Sequence, residues 1–303
     1  MKLLLLSLSF NTMAQVRRPR LDGINRRELS SITVDGLNRT YQVRLPQNYS
    51  PDRAFPLVLA FHGGSGNARN MENLTGLSSL ADREGFIVVY PEALERFWSD
   101  RREPRNLTGG QVNDVKFIDQ LITTLQNTYN IDPKKVYATG ISNGGFMSQV
   151  LACDLSDRIA AIASVASNLP VSLSQDCPAK RPVPVMYILG TEDPIVPYEG
   201  GEVRGRGQIL SAKDSFDFWV RLNQINTAPR NVSFPDRVND GTKVELLSAK
   251  EGNRAVQLVT IVGGGHTWAG GIQYAPVFII GVTSQEIDAN QTIWRFFSNY
   301  NLE

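Results

Sequence analysis

The chain predicts an α/β protein, with a mainly parallel central sheet covered by helices on both faces. Short apolar runs alternate with amphipathic helical stretches along most of its length. Val183-Pro-Val-Met-Tyr-Ile-Leu189 is apolar on both faces, as a strand buried inside a parallel sheet must be. Val136-Tyr-Ala-Thr-Gly-Ile-Ser-Asn-Gly-Gly-Phe146 passes from a strand through a sharp turn straight into a helix.

The elements follow in order. Residues 15–30 are polar and basic and read as a loose arm, leaving 31–303 as one domain. Ile32–Leu45 reads as a hairpin whose turn is Asp35-Gly36. Strands are expected at 56–61, 86–90, 135–139, 183–189 and 255–261, with a further apolar run at 159–166. Helices are expected near 71–84, 112–128, 143–153, 209–224 and 286–299. Asp114 stands where an N-cap would, its side chain accepting a helix N–H.

The strand–turn–helix segment carries Gly140-Ile-Ser-Asn-Gly144, a G-x-S-x-G pattern in the context that gives it meaning. Such a turn strains the serine backbone and exposes the hydroxyl beyond the end of a sheet, beside the positive end of a helix. A serine hydroxyl is a poor nucleophile until a base takes its proton, and the base needs an acid to orient it. The chain has two histidines. In α/β hydrolases the order is serine, acid, histidine, so His266, on a glycine-rich loop after an apolar strand, is the expected base for Ser142. Asp193, just beyond the 183–189 strand, is the expected acid, with Glu192 as the alternative. The oxyanion is assigned to the backbone N–H of Asn143 and to one from His62-Gly-Gly-Ser-Gly66, with Gly64 preferred over Ser65. His62 then braces that loop.

Four segments together resemble one family of esterases: His62–Gly66, Ile131–Met147, Leu189-Gly-Thr-Glu-Asp-Pro-Ile-Val-Pro-Tyr198 and Gly263-Gly-Gly-His-Thr-Trp268. They are similar to the poly(3-hydroxybutyrate) depolymerase / feruloyl esterase family of the α/β-hydrolase superfamily, and occur in its order. The resemblance implies the α/β-hydrolase fold, with Ser142 as nucleophile, Asp193 as acid and His266 as base. It also implies a ligand-facing aromatic at Trp268, although this chain continues Trp268-Ala-Gly-Gly271 where the family often has Trp-Pro-Gly-Gly. A Cys153–Cys177 disulfide fits the resemblance; the spacing alone leaves two buried thiols equally open.

The insert Glu95-Arg-Phe-Trp-Ser-Asp-Arg-Arg-Glu-Pro-Arg105 follows a strand and is expected over the same sheet edge. There Trp98 is a candidate to stack on a substrate ring, and Arg96, Arg101, Arg102 or Arg105 to meet a carboxylate. The alternative is a solvated charged loop with Trp98 packed beneath it.

Of 303 residues 42% are hydrophobic, and 31 Lys and Arg stand against 30 acids. That balance shows no basic stripe for nucleic acid and no polybasic membrane anchor. Two histidines and two cysteines make a poor metal site, and no glycine-rich loop ends as a phosphate loop does, so no cofactor is expected. Met1–Ala14 reads as a signal peptide too short to span a bilayer, which implies a secreted or periplasmic protein. The expected function is a secreted serine carboxylesterase acting on hydroxycinnamoyl (feruloyl-type) or acetyl esters of plant polysaccharide. Poly- or oligo-3-hydroxybutyrate depolymerisation is the alternative, with a serine peptidase or a silent binding protein more remote.

Overall fold

The first turn follows from two residues. Asp35 and Gly36 both take positive φ (51° and 77°), the geometry that matches a two-residue turn to strand twist. They join β1 (Ser30–Val34) to β2 (Leu37–Arg44) with Val34 opposite Leu37. The structure, a computed structural model, describes residues 29–102, 106–107, 110–203 and 205–303. The signal-peptide reading, nearly all of the arm and Arg105 lie outside the described residues.

After β3 (Phe55–Phe61) come α1 (Ala68–Thr75), α2 (Leu77–Glu84) and β4 (Ile87–Pro91). A small ribbon, β5 (Asn106–Leu107) with β6 (Gly110–Gln111), precedes α3 (Asp114–Thr128). Then β7 (Ile131–Ile141) runs into α4 (Asn143–Asp154), followed by β8 (Ala161–Val165), α5 (Val171–Gln175) and β9 (Val185–Gly190). A second ribbon, β10 (Gly201–Glu202) with β11 (Gln208–Ile209), leads to α6 (Ala212–Leu222). The chain ends with β12 (Arg230–Ser233), β13 (Lys243–Glu251), β14 (Arg254–Val262), α7 (Val277–Ile280) and α8 (Ala289–Phe297).

Ten strands form one sheet in the order β1-β2-β4-β3-β7-β8-β9-β14-β13-β12. The run from β4 to β14 is parallel throughout, and antiparallel strands close both edges. Residue alternation along β3 shows how both faces are filled. Leu57, Leu59 and Phe61 pack with Phe117 and Leu121 of α3 and Met147 and Val150 of α4. Val58 and Ala60 point the other way, into a core with Met71 of α1, Leu80 of α2 and Ile293 and Phe296 of α8. Each large side chain buried this way contributes about 1.5–3 kcal/mol. Cys153 at the end of α4 is bonded to Cys177, with Cα atoms 4.9 Å apart, tying the α5 segment to that helix.

The structure departs from the sequence expectations in particular places. The helix expected near 71–84 is two helices, because Gly76 takes φ 63° and caps α1 in the left-handed region. The helix expected from 209 starts at Ala212, since Gln208–Ile209 is strand and Ser211 is the N-cap, accepting from Asp214 N. β12 and β13 extend the sheet where no strand was expected. Asn113, not Asp114, caps α3 by accepting from Lys116 N. Asp114 is instead buried and paired with Arg39 at 2.5 Å, while its other oxygen accepts the Ser99 N–H at 2.7 Å. It therefore ties the 95–102 segment to β2.

Candidate active site

Parallel strands bring β3, β7, β9 and β14 out at one edge of the sheet, and the loops that follow them carry the candidate residues. Ser142 leaves β7 at φ 55°, ψ −123°, a strained conformation that aims the residue off the strand end. The turn closes tightly: a Cβ on Gly144 would lie 2.2 Å from the Phe61 carbonyl oxygen, so only glycine lets α4 approach β3 this closely. Asn143 through Cys153 are all buried, which makes α4 a rigid support for the serine.

Asp193 and His266 meet across the neighbouring loops. His266 Nδ1 lies 2.7 Å from Asp193 Oδ2, and both side chains are buried. A carboxylate only accepts, so Nδ1 carries the proton and Nε2 keeps its lone pair. Asp193 Oδ1 accepts from the backbone N–H groups of Ile195 and Val196, each at 2.8 Å, which fixes the carboxylate plane. Glu192 is exposed and makes no such contact, so the alternative acid is displaced. The histidine loop is fixed in turn: His266 N donates to Ile280 O at 2.6 Å, and the Tyr274 hydroxyl donates to His266 O at 2.9 Å. Burial first, and then the charge of Asp193, pushes the Tyr274 pKa up to about 12. Tyr274 was not foreseen, since nothing in its sequence surroundings marks it.

As the first residue of α4, Asn143 has a backbone N–H with no intrahelical acceptor. In the β3 loop, Ser65 N–H bonds Arg96 O (2.9 Å) and Gly66 N–H bonds Gly63 O (3.0 Å). Of the two expected donors Ser65 is engaged, so Gly64 stays the candidate; the Phe97 ring, also unforeseen, packs directly against it.

Both tryptophans are buried, which overturns the ligand-facing reading of Trp268 and selects the packed alternative for Trp98. Trp98 is 1% exposed; its Nε1 donates to His62 O at 3.0 Å and its ring meets Phe61 edge-on at 5.1 Å. Trp268 is also 1% exposed and donates to Asn290 Oδ1 of α8 at 3.0 Å. An indole buried on its faces and bonded at its N–H has no surface left for a ligand. Trp98 packs beneath the insert, and its backbone N–H and carbonyl pair with the Asn143 side chain at 2.7 and 3.1 Å. Arg101 pairs with Asp154 (2.5 Å) and Arg102 with Asp100 (2.7 Å), so neither is free for a substrate carboxylate. Arg96 remains exposed.

His62 braces the loop through both ring nitrogens. Ala93 N–H donates to Nε2 (3.1 Å), so Nδ1 carries the proton and donates to Gly63 O (2.7 Å). A second proton on Nε2 would face an N–H, and burial holds the pKa below the ordinary histidine value. The unfolded chain therefore takes up this proton first. Above about pH 6.5 both states are neutral and the group is silent; stability declines as pH falls below that value toward the depressed folded pKa. Thermal midpoints from pH 8 to 5 should fall more steeply for the wild type than for His62→Gln, and parallel curves would refute this.

Among the described residues, no helix is long and apolar enough to cross a membrane. A family model described as "Putative esterase" matches residues 33–187. The chain is 30% identical over 290 residues to "Putative esterase NocK" of Nocardia uniformis subsp. tsuyamanensis, covering 91% of this chain and 83% of that protein. It is 30% identical over 232 residues to feruloyl esterase B of Piromyces equi, covering 74% and 42%. It is 27% identical over 232 residues to the bifunctional acetylxylan esterase/xylanase XynS20E of Neocallimastix patriciarum, covering 77% and 31%. The chain thus spans less than half the length of these last two relatives. Among solved structures, acetyl xylan esterase from Aspergillus awamori shares the fold at TM-score 0.61 and 15% identity, over 90% of this chain and 99% of that one. A family match of this extent, carried on this fold, makes the chain a member of the putative esterase family, a carboxylic-ester hydrolase with the α/β-hydrolase fold.

Proposed function

We propose that residues 31–303 form one catalytic unit, an exported serine esterase acting on hydroxycinnamoyl or acetyl esters of plant polysaccharide. The observation that carries the mechanism is the Asp193–His266 bond on the sheet edge where the strained Ser142 emerges. Asp193 holds His266 with Nε2 free to act as a base. Ser142 Oγ attacks the ester carbonyl and forms the Oγ–C bond while its proton passes to Nε2. The Asn143 and Gly64 N–H groups hold the oxyanion. As the C–O bond to the alcohol breaks, His266 returns the proton to the leaving oxygen. Water then repeats the sequence on the acyl-enzyme, giving the acid and restoring Ser142.

The substrate class is supported by the names of two relatives, a feruloyl esterase and an acetylxylan esterase. Export is supported by the apolar Met1–Ala14 segment and by the Cys153–Cys177 bond, which persists in oxidising compartments. Release of ferulate from methyl ferulate and of acetate from acetylated xylan tests the reading. Turnover of either is the expected result. Cleavage of p-nitrophenyl acetate and of hydroxybutyrate oligomers, with neither ferulate nor xylan acetate released, would move the substrate to the polyester.

A further inference from the structure

Beyond Trp268 the chain doubles back over the histidine loop and leaves apolar side chains in solvent. Ile272 (56%), Tyr274 (43%), Val277 (53%), Phe278 (85%) and Ile279 (44%) are exposed within eight residues of chain. They make up half of the exposed large apolar side chains among the described residues. A concentration of this kind marks a binding surface, whereas single exposed apolar residues are ordinary.

The surface is held in place. Gln273 Nε2 donates to Ala275 O (2.8 Å) and Gly281 O (3.0 Å), and its Oε1 accepts from Thr283 N (2.9 Å). The backbone on either side is bonded to the loop of the candidate base: Ile280 O takes the His266 N–H, Val282 O takes the Gly265 N–H, and Tyr274 bonds His266 O. The segment carrying the shelf is thus bonded to the backbone of the His266 loop, and the candidate oxyanion donors belong to other loops, after β3 and β7.

Chemistry then decides which part of an ester lies here. The histidine that accepts the serine proton must return it to the alcohol oxygen, so the alcohol leaves on the histidine's side. We infer that Ile272, Tyr274, Val277, Phe278 and Ile279 form the leaving-group subsite, which packs on an apolar face of the departing alcohol, whether the C–H face of a sugar ring or the chain of an alkyl ester. This rests on the esterase mechanism proposed above.

The test compares methyl and hexyl esters of the same acid, ferulic or acetic, in the wild type, Phe278→Ser/Ile279→Ser and Phe278→Leu. The wild type should favour the hexyl ester. The double substitution should lower kcat/KM for the hexyl ester about tenfold, the worth of roughly 50–60 Å² of apolar contact. The loss should fall in KM, with the methyl ester changed less than about twofold, because the contact is the same in ground and transition states. Phe278→Leu should keep most of the preference. A hexyl-to-methyl ratio unmoved by the double substitution overturns the inference. If the substitution also dissolves a wild-type dimer in light scattering, with the ratio unmoved, the shelf is covered by a second copy instead. Failure of the mechanism itself reads differently: the wild type then turns over none of the four esters.

Discussion

Replacing Ser142 with alanine is expected to lower kcat by roughly 10⁶-fold, the scale of loss when an activated serine nucleophile is removed. The fold should barely register the change. Alanine keeps a Cβ at the same strained φ of 55°, so the backbone cost is unaltered. The serine hydroxyl makes no hydrogen bond among the described residues, so no partner is orphaned. The thermal midpoint should stay within about 2 °C of the wild type, as for substitutions that break no packing or bond. Steady-state kinetics on a chromogenic acetate and a thermal melt check the two halves. Ser142→Ala activity above about a hundredth of wild type would mean that another group attacks the ester.

Asp193→Asn is expected to cost about 10⁴-fold in kcat with little change in KM, the scale known for an amide in the place of a triad carboxylate. The two sides of this carboxylate make different demands. Oδ1 accepts from the N–H groups of Ile195 and Val196, so an asparagine must place its carbonyl there. Its NH₂ then faces His266 Nδ1, now 2.7 Å from Oδ2, and donates to it. The imidazole is driven to the tautomer with its proton on Nε2 and can no longer accept from Ser142. The reverse orientation of the amide sets its NH₂ against two backbone N–H groups. Kinetics of Asp193→Asn beside Asp193→Ala check this, and full activity in the asparagine variant would remove Asp193 from the mechanism.

Much of this site was legible in the chain because chemistry dictates local sequence. The apolar run to Gly140, the small residue at 144 and the helix that follows belong to a turn that other residues cannot make. Asp193 was reachable because it stands just past a strand buried on both faces. Glu192, its neighbour, was separable only by exposure. Trp268 was placed on the ligand side and Trp98 left between two readings for one physical reason: an indole suits a ligand face and a core equally well, and burial decides between them. For Trp98 the deciding partner is Asn143, 45 residues away, and for Asp114 it is Arg39, 75 residues away. β13, Lys-Val-Glu-Leu-Leu-Ser-Ala-Lys-Glu, is rich in helix formers and becomes a strand through its pairing with β14. β12 is exposed along its whole length and carries no pattern to read.

Covalent capture shows whether Ser142 is the residue that the ester acylates. Wild-type protein treated with an alkyl fluorophosphonate, digested and mapped by mass spectrometry should carry one phosphonyl group, on the peptide containing Ser142, and lose ester hydrolysis in step. Label on another residue, or an enzyme that stays active and unlabelled, would mean that Ser142 is not the nucleophile.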